Sequence, residues 1–199
     1  MIPVSRSVLS KEPDGFDAQC RKKGSDWLAR NPKASRQRKQ RPRDFWSPFR
    51  SDLANAFSER CAYGAMYEPN GTVDHFKPVD VDENLAYEWQ NYRYVTGWIN
   101  SSKSNRAPVL DAFQVKSGWF ELLLPSLQLV AIKAKIPTKL HGLVNQTLKD
   151  LHLVDDERIV RQRREWLRMY EDGEITFSGL KKKAPLIAAA IEKRDGSAR

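Results

Sequence analysis

The chain has few cysteines and no long apolar segment. Its 199 residues include two cysteines, Cys20 and Cys61, which are too few for a disulfide scaffold and predict two reduced thiols. No apolar run approaches the roughly 18–20 residues that cross a bilayer. The first residues also lack the apolar stretch of a secretory signal. These absences predict a cytoplasmic protein that does not insert into a membrane.

Acidic residues are outnumbered by basic ones. The sequence has 34 Lys and Arg against 25 Asp and Glu, a formal net charge of +9. Hydrophobic residues make up 40% of the chain, so a packed core is expected. The surplus positive charge favours a polyanionic partner such as nucleic acid, although such charge also serves solubility.

One segment between Asn31 and Asp44 contains no acidic residue. Its basic side chains are Lys33, Arg36, Arg38, Lys39, Arg41 and Arg43, and Pro32 and Pro42 interrupt it. This composition is typical of a basic arm that orders on a partner, and equally of a solvated loop. We therefore treat residues 1–44 as a basic N-terminal arm or linker, the least core-like part of the chain. It holds one short helix with Ser25 as N-cap and with Trp27 and Leu28 facing inward.

The rest of the chain predicts an α+β fold. A central region, 45–125, begins with a helix after Pro48 and continues with short β segments around 72–73 and 79–81 and a short helix near Ile99. One or two buried strands follow, with breaks at Gly118 and Pro125. A helical C-terminal region, 126–199, has helices over about 138–151, 155–170 and 180–193. In the second of these, the basic run 161–164 is predicted to be the exposed face.

Four residues of the central region could carry chemistry: Asp74, His75, Asn91 and Asn100. Neighbours on an extended segment point to opposite sides, so Asp74 and His75 can address one centre only if the chain bends. An aspartate and an asparagine are oxygen ligands suited to Mg²⁺ or Mn²⁺. Taken alone, His75 would be an ordinary loop histidine bonded to Asp74. His141 and His152 lack such companions and are interpreted as structural or surface residues.

In their order and spacing these residues resemble the HNH endonucleases, whose core is called the ββα-metal fold. The segments DHFKPV, LAYEWQNYR and INSSKSN are similar to the small HNH nucleases of bacterial antiphage-defence systems. The resemblance covers about residues 57–105. It implies a β-hairpin and a short helix, wrapped by N- and C-terminal helices.

The resemblance also implies a role for each residue. His75 would be the general base that deprotonates the attacking water, and Asn91 would brace the loop that holds the His75 ring. Asp74 and Asn100 would bind the divalent cation, Mg²⁺ or Mn²⁺. Apart from the resemblance, charge and position make Lys103 and Arg106, together with Arg36, Arg38, Lys39 and Arg41 of the basic segment, candidates to contact nucleic acid, although solvated lysines and arginines are common.

One feature departs from the family. Many relatives hold a structural zinc with two CxxC pairs, but here only Cys61 remains, and the other positions are Gly64, Thr96 and Ile99. A single thiolate does not hold a structural zinc. We therefore expect no zinc there, and expect apolar residues in its place.

The resulting prediction is a metal-dependent endonuclease or nickase that cuts double-stranded DNA, the effector of an antiphage defence complex with partner proteins. Two alternatives remain open. The first is a catalytically inactive nucleic-acid-binding subunit with an HNH fold, and the second is a ribonuclease of the same chemistry. Aromatic residues 89, 92, 94 and 98 are interpreted as core rather than base-stacking residues.

Overall fold

The computed structural model describes residues 1–32, 41–105 and 108–197. Within these ranges the chain has a mixed α+β fold, with seven α-helices and two two-stranded antiparallel sheets. The helices are α1 (Lys23–Arg30), α2 (Arg50–Ala56), α3 (Gly97–Lys103), α4 (His141–Asp150), α5 (Glu157–Glu171), α6 (Phe177–Lys183) and α7 (Pro185–Ser197). The strands are β1 (Thr72–His75), β2 (Tyr92–Val95), β3 (Phe120–Leu123) and β4 (Gln128–Ala131). None of the helices in the described ranges is long and apolar enough to cross a membrane.

The N-terminal residues belong to the core. Leu9, Phe16 and Cys20 are fully buried, and the Phe16 ring lies edge-on to Trp89, with centroids 5.3 Å apart. Residues of the predicted arm within 1–32 therefore supply part of the core. Ser25 was wrongly predicted as an N-cap, because a wide helical turn over residues 17–22 runs directly into α1 and leaves Ser25 inside a continuous helix.

Helix α2 forms as its sequence predicts. Pro48 lies in a short 3₁₀ turn, where its fixed φ and missing N–H are tolerated, and α2 continues from that turn. Phe49, Leu53 and Phe57 recur every four residues and are all buried on one face.

Strands β1 and β2 form a hairpin that precedes α3. Asp74 pairs with Arg93 across it, and His75 pairs with Tyr92. Gly71 lies just before β1, where a Cβ atom would stand 2.4 Å from the Tyr94 ring, so the close approach requires glycine. The predicted β segment over 79–81 was wrong, because β1 pairs with Tyr92–Val95 instead and residues 79–81 lie in the connecting loop.

The second sheet and the C-terminal helices follow the predicted order. Strands β3 and β4 are joined by a turn over residues 124–127, which contains the predicted break at Pro125. The Asp156 side chain accepts a hydrogen bond from the Arg158 N–H (3.0 Å) and caps α5. The single helix predicted over 180–193 is two helices, α6 and α7, because Pro185 cannot donate to the preceding turn.

Arg163 is the main exception on α5. It was expected on an exposed face, but its side chain is 1% exposed. The guanidinium donates hydrogen bonds of 2.7–2.9 Å to the carbonyls of Leu127, Leu153 and Val154. Burial lowers the pKa of Arg163 to about 10, so it stays charged at neutral pH. This arginine joins the β3–β4 turn to the segment between α4 and α5.

Candidate active site

The loop between β1 and β2 is held by Asn91, which is 6% exposed. Its Oδ1 accepts a hydrogen bond from the Lys77 N–H (2.9 Å), and its Nδ2 donates to the carbonyls of Lys77 and Leu85 (both 3.1 Å). The Asn91 carbonyl accepts from the Phe76 N–H (2.8 Å). The amide therefore ties the beginning of the loop to its later part.

The His75 ring is positioned by the carbonyl that follows Leu85. Its Nε2 lies 2.8 Å from the Ala86 oxygen, which also accepts a hydrogen bond from the Tyr92 hydroxyl (2.9 Å). A carbonyl oxygen only accepts, so Nε2 carries the hydrogen and Nδ1 keeps its lone pair. Asn91 thus bonds Leu85, the neighbour of Ala86, and does not contact the His75 ring itself.

Two aromatic rings enclose His75. The Trp46 ring centroid lies 4.6 Å away and that of Tyr92 5.2 Å away, both edge-on. Burial, with a smaller effect from the Lys103 charge, lowers the pKa of His75 below its usual 6.5. The neutral imidazole that a general base requires is therefore the form favoured at pH 7.

Asp74 is buried on the hairpin, with 1% of its surface exposed. Its Oδ1 accepts a hydrogen bond from Lys103 Nζ at 2.8 Å, and the Tyr63 hydroxyl lies 3.5 Å from its Oδ2. Its partner on β2, Arg93, makes a two-pronged ion pair with Asp111 at 3.0 and 2.9 Å. Two carboxylates and two basic groups thus balance one another in this buried region.

Asn100 lies on α3 against the backbone of β1. Its Nδ2 donates to Thr72 Oγ1 (3.0 Å) and to the Val73 carbonyl (3.3 Å). The structure therefore brings Asp74, His75, Asn91 and Asn100 into one hairpin-and-helix unit. It directs the Asn100 amide nitrogen to the strand, which leaves Oδ1 as the oxygen that could bind a ligand.

The predicted cation ligands do not form an open site. Mg²⁺ keeps several waters and takes oxygen ligands in a near-octahedral arrangement. The Asp74 carboxylate is instead buried and already paired with an ammonium group. Across the described ranges, no group of three or more His, Cys, Asp or Glu side chains could hold a metal ion. As arranged here, these residues do not fit a divalent cation.

Lys103 was predicted to contact nucleic acid, and this is wrong because its side chain is fully buried against Asp74. Arg41 is exposed, as such a contact requires. The other four predicted contacts, Arg36, Arg38, Lys39 and Arg106, lie outside the described residues.

The four residues at the positions where the resemblance places zinc ligands lie close together. Cys61 Sγ accepts hydrogen bonds from the N–H groups of Gly64 (3.2 Å) and Thr96 (3.4 Å). A Cβ atom on Gly64 would lie 3.5 Å from Cys61 Sγ and equally close to an Ile99 methyl. The buried Ile99 side chain thus packs where the two pairs meet, at the junction of β2 and α3.

Sequence reasoning missed three features of this site: Trp46, the Ala86 carbonyl and the buried role of Lys103. Nothing in the sequence pointed to the first two, because a tryptophan before a helix and a backbone carbonyl carry no pattern. Lys103 had a usable signal, since residues three apart share one helix face and Asn100 already faced the hairpin.

No family model matches the chain, and neither a curated protein nor a solved structure matches it.

Proposed function

We propose that this chain is an endonuclease that hydrolyses phosphodiester bonds in DNA, with His75 as the general base. The observation that carries the proposal is the hydrogen bond from His75 Nε2 to the Ala86 carbonyl. It fixes the tautomer so that Nδ1 can accept a proton, while burial keeps the ring neutral.

The proposed step is a direct hydrolysis. His75 Nδ1 takes a proton from a water molecule, and the water oxygen forms a bond to phosphorus. The bond from phosphorus to the departing sugar oxygen breaks, and that oxygen keeps the electron pair and takes a proton from solvent. Asn91 supports the step by holding the loop that carries the Ala86 carbonyl.

Two further observations support the HNH resemblance. The hairpin β1–β2 runs directly into α3, the order that a ββα core requires. The second observation is that four residues lie close together although 38 residues separate the first from the last: Cys61, Gly64, Thr96 and Ile99. No step is assigned to a divalent cation, because Lys103 holds Asp74. The role in antiphage defence follows from the resemblance alone and stays a prediction.

The test is nicking of supercoiled plasmid by wild type and by His75→Ala, each with Mg²⁺ and with EDTA. The alanine variant should fold, because the Ala86 carbonyl keeps its hydrogen bond from Tyr92. His152→Asn is the matched control: His152 is exposed at φ +51°, a conformation that asparagine tolerates. We expect nicking by wild type and by the control, with Mg²⁺ and with EDTA alike, and none by His75→Ala. Equal nicking by all three would contradict the assignment.

A nucleic-acid-binding subunit without catalysis is the second candidate. The Lys103–Asp74 ion pair favours it, because this pair occupies a carboxylate that the family uses for its cation. Binding of DNA that weakens steeply with salt, without cleavage in Mg²⁺ or Mn²⁺, would support it over the nuclease. Single-stranded RNA in a parallel reaction separates a ribonuclease from both.

A further inference from the structure

Lys103 lies in the position from which a cation would neutralise Asp74. It is the last residue of α3, one helical turn after Asn100, and both residues face β1. Its Nζ lies 2.8 Å from Asp74 Oδ1 and 2.6 Å from the His75 carbonyl oxygen. The ammonium group thus bridges a carboxylate oxygen and a backbone oxygen, the two kinds of ligand that a hard cation uses.

Among the described residues, the groups around Asp74 leave no unpaired negative charge for a second cation to neutralise. The side chains of Lys103 and Asp74 are 0% and 2% exposed, so water does little to screen an added ion. The buried carboxylate of Asp111 is likewise already paired, with Arg93 at 2.9 Å and with the exposed Arg6 at 3.8 Å. A divalent ion at Asp74 with Lys103 in place would therefore carry two uncompensated charges in a buried region.

We propose that the Lys103 ammonium is the resident cation of Asp74 and excludes divalent cations from this carboxylate. Removing the ammonium then opens a cation site at the two oxygens that it now contacts, Asp74 Oδ1 and the His75 carbonyl oxygen. The inference deepens the proposed function, because it concerns the same site. It is tested without DNA, so that the two proposals can fail separately.

The experiment titrates Mn²⁺ alone into the full chain and measures free Mn²⁺ by electron paramagnetic resonance. Wild type, Lys103→Met, Asp74→Asn and the double variant Lys103→Met/Asp74→Asn are compared. The matched control is Lys139→Met, which removes one exposed lysine and changes the net charge equally. We expect Lys103→Met to bind one Mn²⁺ at least about tenfold more tightly than wild type and the control. The double variant should lose this gain.

The melting temperature of Lys103→Met shows whether the substitution destabilises the protein. Lys103→Met leaves Asp74 buried without its partner, so its melting temperature should fall without metal and recover in part with Mn²⁺. If it does not fold, Lys103→Gln, which keeps an amide donor without charge, is measured by the same criterion. Equal Mn²⁺ affinity in wild type and the folded Lys103 variant would overturn the inference. So would tight binding by wild type that Asp74→Asn removes.

Discussion

Replacing Asn91 by alanine removes the side chain that ties the β1–β2 loop together. The substitution deletes three hydrogen bonds, one from the Lys77 N–H and two to the carbonyls of Lys77 and Leu85. A neutral hydrogen bond contributes about 0.5–1.5 kcal/mol net, so the expected loss in the free energy of unfolding is about 3 kcal/mol. For a chain of this length that corresponds to a fall in melting temperature of roughly 6–12 °C.

Asn84→Ala is the matched control for this substitution. Asn84 lies in the same loop but is exposed, and its side chain makes a 3.4 Å hydrogen bond to Asp82. Its replacement should change the free energy of unfolding by about 0.5 kcal/mol or less. Urea denaturation followed by circular dichroism measures both variants. Amide hydrogen exchange at Lys77 reports whether the loop itself opens.

The refuting result is specific. If Asn91→Ala costs no more than Asn84→Ala and the Lys77 amide stays protected, the loop is held by other contacts. The account of how Ala86 holds His75 would then fail as well. If only Asn91→Ala destabilises the protein, its nicking rate should fall even in conditions where it remains folded.

Three more predictions concern titration and burial. The pKa of His75 is lower in the folded protein than its usual 6.5, so between these two pKa values the unfolded state binds a proton that the folded state does not. The contribution of His75 to the free energy of unfolding should therefore be constant above pH 6.5 and should fall as the pH drops from 6.5 through the folded pKa. Urea denaturation at several pH values should show a shallower fall in a His75→Gln variant, and an equal fall would contradict this. Arg163→Lys should lower the free energy of unfolding in urea by about 2–4 kcal/mol, because a lysine cannot reach three carbonyls in the same geometry. Arg164→Lys, at an exposed position, should lower it by under about 0.5 kcal/mol. Similar losses in the two variants would refute the role of Arg163. Burial raises the pKa of Cys20 to about 11, and Cys61 is also buried. A thiol reagent at pH 8 should therefore label neither cysteine in the folded protein and both in urea. Rapid labelling of the folded protein would contradict this packing.

Local sequence patterns predicted helix α2 and the beginning of helix α5, because both depend on residues that are close together in the chain. Pro48 with the four-residue spacing of Phe49, Leu53 and Phe57 specified α2, and the acidic residues before Glu157 specified the beginning of α5. The candidate residues from Asp74 to Asn100 were brought into one unit because a hairpin and the next helix are neighbours in sequence. Asn91 braces the loop as the resemblance implied, although the ring of His75 is held by a backbone carbonyl.

The features that sequence reasoning missed depend on distant contacts. Strand β2 consists of two tyrosines, an arginine and a valine, and it shows no alternation of apolar and polar residues because all four residues are buried. Arg163 resembles its exposed neighbours in sequence, and the carbonyls that it bonds when buried lie 9, 10 and 36 residues earlier in the chain. Lys103 was misassigned for the same reason, since its partner Asp74 lies 29 residues away.

The packing of Ile99 beside Cys61 bears on how this region folds. The junction of β2 and α3 is closed by a sulfur atom that accepts two backbone N–H groups and by an aliphatic side chain, all supplied by the polypeptide. Correct assembly of the hairpin with its helix therefore depends on the thiol staying unmodified. An oxidant or alkylating agent that reaches Cys61 during synthesis would disturb the segment that carries His75, whereas the finished protein shields the same atom.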